Sequence, residues 1–78
     1  MKAEDRYLKF VEWSEQDATY VGYCPDLFPW GGGCHASSEE VAYRELVELV
    51  RVEVAALTES SSALPEPRTR PVRTAIPA

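Results

Sequence analysis

From Glu39 to about Thr58 the chain carries neither glycine nor proline. Ala42, Leu46, Leu49, Val50 and Leu57 fall there on one stripe at helical spacing, and Val47 and Val54 widen it on one flank. The run predicts one amphipathic helix. Ser37 or Ser38 caps it, and Ser37 with Glu40 fits a capping box. Acids crowd its first turn, where they suit the helix dipole. Glu53 falls inside the stripe, and the sequence offers no reason for it. With 78 residues in all, the helix must find its cover within one small domain. A single helix buries its stripe against a sheet or a partner.

The rest of the chain reads as strands and turns. Arg6 to Trp13 is rich in aromatic and β-branched residues and predicts a first strand. Ser14-Glu15-Gln16-Asp17 is a polar turn of hairpin length. Ala18 to Cys24 predicts a second strand, and Gly22 inside it suggests close approach by another element. Pro25 ends that strand, because it cannot donate a ladder hydrogen bond. Asp26 is expected to fix the turn by accepting from nearby amides. After Gly31-Gly32-Gly33, Cys34-His35-Ala36 predicts a short third strand. Ser60-Ser61-Ser62 ends the helix, and Leu64-Pro65-Glu66-Pro67 is an extended connection. Val72 to Ile76, between Pro71 and Pro77, predicts either a final edge strand or a basic tail.

The expected class is α+β: a three-stranded antiparallel meander covered by one helix, with a fourth strand possible, in a single domain over residues 1–78. One helix covers only one sheet face, so a second subunit is expected over the other face or an edge.

Charge narrows the partners. Residues 1–67 hold five basic and thirteen acidic side chains, a net of −8, while Arg68, Arg70 and Arg73 follow with no acid among them. An acidic body argues against autonomous nucleic-acid binding, which needs a basic face. It favours a basic protein partner. The N-terminus leads into no apolar core of signal-peptide type, and no stretch is long and apolar enough to span a bilayer. A cytoplasmic location is the expectation, with Cys24 and Cys34 as reduced thiols.

Several chemistries are open to these residues. Cys24, Cys34 and His35, with Asp26 as a fourth ligand, have zinc-binding side chains. But Cys34 and His35 are adjacent, and adjacent strand residues point to opposite faces. A catalytic Cys–His pair meets the same objection. Two-metal nuclease chemistry needs several converging carboxylates, and the first strand offers only Glu12. The three glycines are not a phosphate loop, since no Lys-Ser/Thr follows. No catalytic residue, metal or cofactor is therefore expected. Tyr7, Trp13, Tyr20, Tyr23, Phe28, Trp30 and Tyr43 are many aromatics for so short a chain. Phe28, Trp30 at the loop tip beside it, and His35 are the candidate partner-binding residues, with Trp30 the candidate anchor.

Tyr20-Val21-Gly22-Tyr23-Cys24-Pro25-Asp26-Leu27 resembles the second-strand signature of HicB-like antitoxins. A glycine-containing turn, a helix beginning Glu39-Glu40-Val41-Ala42, and Pro65-Glu66-Pro67 follow in that family's order. Gly32-Gly33-Cys34-His35 is similar to a branch that carries Cys-His there. The resemblance covers roughly residues 6–76. It implies a truncated ribonuclease-H-like fold of β-β-β-α-β order, with Tyr20, Pro25, Asp26, Leu27 and Gly33 as structural motif residues. It also implies a homodimer that neutralises a small basic RNA-cleaving HicA-like toxin. Many members carry a C-terminal DNA-binding domain. This chain departs there, so it is not expected to bind DNA directly. The alternative reading is a stand-alone homodimer of the same fold with another structural or regulatory partner.

Overall fold

The structure is a computed structural model and describes residues 2–69. A short 3-10 turn, Ala3–Arg6, precedes three strands: β1 (Phe10–Ser14), β2 (Thr19–Tyr23) and β3 (Cys34–Ala36). A single helix, α1 (Glu39–Glu59), follows. The strands form an antiparallel sheet in the order β1-β2-β3. The class is α+β with β-β-β-α order, as the sequence led us to expect. The anticipated final strand, Val72 to Ile76, lies outside the described residues.

The ends of the first two strands fall one residue from expectation, at Ser14 and Tyr23, and their starts move for local reasons. The first strand begins at Phe10 rather than Arg6, because Tyr7 leaves the strand line and enters the core. It is 4% exposed, and its hydroxyl donates to the Pro65 carbonyl at 2.6 Å. The Lys9 ammonium donates to the carbonyls of Glu4 and Tyr7 at 2.9 and 3.2 Å, which holds this bend. The second strand begins one residue late because Ala18 has φ +50°, a turn conformation.

The helix is capped by Ser38 and not by Ser37: the Ser38 hydroxyl accepts from the Val41 amide at 3.2 Å. The residue at the N3 position is then Val41, so the Ser37–Glu40 capping box does not form. Ser61, at φ +59°, ends the helix. Ala42, Leu46, Val50 and Val54 are its buried residues. Glu53, which falls inside the predicted stripe, is half-buried.

Register fixes which residues face α1. Val11, Gly22 and Cys34 lie opposite one another, and directly opposed residues point to the same side. A Cβ on Gly22 would stand 2.8 Å from Cys34 Sγ and 3.1 Å from Leu46 Cβ. This row therefore faces the helix, and Gly22 permits the close approach that its place in the strand suggested. Further along, Tyr7, Cys24, Leu27, Phe28, Leu46, Val50 and Val54 form the core. Full burial of a side chain such as Leu46 or Val50 contributes roughly 1.5–3 kcal/mol.

Among the described residues, no helix is long and apolar enough to cross a membrane.

Candidate binding surface

The turn after β2 sets the geometry. The Cys24 carbonyl accepts from the amides of Leu27 and Phe28 at 3.1 and 2.8 Å. Pro25 and Asp26 form the outside of this turn, and Leu27 and Phe28 drop into the core. Asp26 has another job than the expected local one. Its carboxylate accepts from the Thr69 amide at 3.1 and 3.3 Å and from the Thr69 hydroxyl at 3.0 Å. With Tyr7 on Pro65, this ties the segment after the helix across the end of the sheet. Leu64 packs against the core on the way.

Phe28 and Trp30 divide the roles that the sequence assigned to both. Phe28 is buried, whereas Trp30 is 75% exposed and meets the Phe28 ring edge-on at 5.6 Å. A rigid core residue thus supports an exposed indole. His35 is exposed, paired across from Val21 on the sheet face away from α1. The glycine loop reaches that face too. A Cβ on Gly32 would strike Val21 Cγ1, so the bare backbone lies over Val21 and keeps it 4% exposed. Gly33 instead approaches Leu49 and Phe28 on the helix side. Tyr20 lies on the helix side, edge-to-face with Trp13 at 4.9 Å.

The outer face is therefore built of Phe10, Glu12, Val21, Tyr23 and His35. Phe10 and Tyr23 are cross-strand partners, with rings stacked at 5.1 Å and 21° between planes. Phe10 remains 37% exposed. Phe10 was not among the aromatics singled out by sequence, although its period-2 place in the strand could have found it.

Cys34 and His35 point to opposite sides, as their adjacency in a strand requires. The Cys34 thiol donates to the Ala42 carbonyl at 3.4 Å, toward the helix. Cys24 is fully buried. Both are free thiols, and burial pushes the pKa of each up, which holds them as thiols rather than thiolates. Among the described residues, no group of three or more His, Cys, Asp or Glu side chains could hold a metal ion.

Comparisons with protein-family models, with curated proteins and with solved structures find no match.

Proposed function

We propose that this chain is a HicB-like, antitoxin-type binding module: it dimerises and masks a small basic RNA-cleaving toxin of the HicA type. The observation that carries the reading is the outer face of the sheet with its Phe10–Tyr23 stack, which nothing covers among the described residues and which this reading assigns to the second subunit of the dimer. It belongs to a body with net charge −8 over residues 1–67. Aromatic anchors and charge complementarity are what protein interfaces use for affinity and selective encounter. Trp30, propped on Phe28, and His35 are the further contacts this reading assigns to the partner. The Tyr20 to Leu27 signature and the β-β-β-α order support the finer assignment to a truncated ribonuclease-H-like fold.

The test is affinity capture of the tagged full chain from its native host, with mass spectrometry of what co-elutes. The expected result is a stoichiometric small basic protein whose RNA cleavage stops when this chain is added. A homodimer with nothing bound would overturn the toxin-masking role and leave the stand-alone homodimer.

A further inference from the structure

Residues 63–69 are fastened differently from the sheet and the helix. Among the described residues, residues 63–68 make no backbone–backbone hydrogen bond. Side chains hold the segment instead. The Tyr7 hydroxyl donates to the Pro65 carbonyl at 2.6 Å, and the Asp26 carboxylate accepts from the Thr69 amide and hydroxyl. Leu64 packs against the core cluster. Leu64, Pro65, Pro67 and Thr69 are half-buried, while Glu66 and Arg68 are exposed. Pro65 and Pro67 have fixed φ and no N–H to donate, so the segment is stiff. It follows a bend at Ser61, whose φ of +59° is uncommon for a residue other than glycine.

The two ties flank one buried thiol. Cys24 is fully buried, in the same cluster as Tyr7, and Leu64 packs on that cluster. Asp26 lies two residues beyond it, in the turn closed on the Cys24 carbonyl. Burial is the main cause of the raised thiol pKa, and Lys9 and Asp26 stand near enough to push it down and up.

We infer that residues 63–69 are a latched strap over Cys24, which swings open at Ser61 and admits solvent to the thiol while the sheet and helix stay folded. A segment held by a few side-chain ties opens at a lower free energy than one held by ladder or helix hydrogen bonds. Closed, the strap keeps Cys24 from small thiol reagents. Open, it leaves Cys24 in solvent near the Lys9 ammonium, a setting that favours the thiolate. The Pro25-Asp26-Leu27 turn thereby gains a long-range task, with Asp26 as the catch. The device does not depend on which partner meets the outer sheet face.

The test follows the reaction of the full-length Cys34→Ala chain with dithionitrobenzoate, an aromatic disulfide. Its sulfur bonds to Cys24 as its coloured thiolate leaves. Well below the unfolding midpoint, the Cys24 rate should barely change with urea, the mark of a local opening. Tyr7→Phe with Thr69→Val removes two donors and keeps the ring and the shape, and should raise that rate at least about tenfold. In a Cys24→Ala chain, the same two substitutions should leave the Cys34 rate unchanged. A Cys24 rate that carries the full urea slope of global unfolding from zero urea would overturn the proposal, whether or not the variant folds. An unchanged rate in a folded variant would also overturn it. So would an equal rise at Cys34, which would show that the ties guard the whole fold and not a strap.

Discussion

Toward α1, the sheet is packed so closely that one added carbon at Gly22 finds Cys34 Sγ at 2.8 Å. On the opposite face, Phe10 and Tyr23 stack at 5.1 Å, with Phe10 still 37% exposed. The same three strands make both surfaces, so strand propensity cannot explain the difference. What differs is the cover. The helix brings Leu46 and Val50, both at 0% exposure, onto one side. Among the described residues, the other side receives only the glycine loop over Val21. A small domain gains its stability where an element can close over it. It leaves apolar surface where a second molecule can act as the missing layer.

If that division is correct, substitutions on the two faces should fail differently. Leu46→Ala should have the largest effect, a loss of about 2–5 kcal/mol from the cavity left under the helix, read by urea denaturation. Gly22→Ala should cost about 1–3 kcal/mol, because the new methyl must displace Cys34 or the helix. Adding Cys34→Ala should recover part of that loss, and a double-mutant cycle would show the coupling. An additive cycle would break the claim that these two residues compete for one space.

Alkaline pH sharpens the same contrast. Burial raises the pKa of Cys24 and Cys34 above the ordinary thiol value, so the folded chain keeps protons that the unfolded chain releases. Their contribution is fully present below about pH 8.5 and is lost as pH rises through the folded values. The denaturation midpoint should therefore fall above that pH, and the fall should be smaller in a Cys24→Ala, Cys34→Ala variant. The smallest effect on the folded monomer should come from Phe10→Ser. It removes one cross-strand aromatic pair, worth about 0.5–1 kcal/mol.

The sequence made the local elements legible and the long-range ties illegible. The helix stripe from Ala42 to Leu57 and the polar hairpin at residues 14–17 are periodicity and turn chemistry, which act between near neighbours. Gly22 was legible for a related reason: a glycine in a strand needs a close neighbour to explain it. Asp26 was not, because its partner Thr69 lies 43 residues away. Phe28 and Trp30 read alike in sequence, and only the turn closed on the Cys24 carbonyl sends one inward and leaves the other outside. The choice of Ser38 over Ser37 as cap depends on where β3 ends, a tertiary matter of one residue. The groove that Phe10 and Val11 of β1 form with Glu39, Glu40 and Tyr43 of α1 was equally hidden, since its walls come from two elements separated by residues 15–38.

The central claim is that the outer sheet face is an interface held by its aromatic pair. Sedimentation velocity of the full chain over a wide concentration range, beside the Phe10→Ser, Tyr23→Ser variant, tests it most directly. The account predicts a dimer for the parent chain and a folded monomer for the variant, with helical circular dichroism retained. A parent chain that stays monomeric throughout, or a variant that dimerises as tightly as the parent, would contradict it.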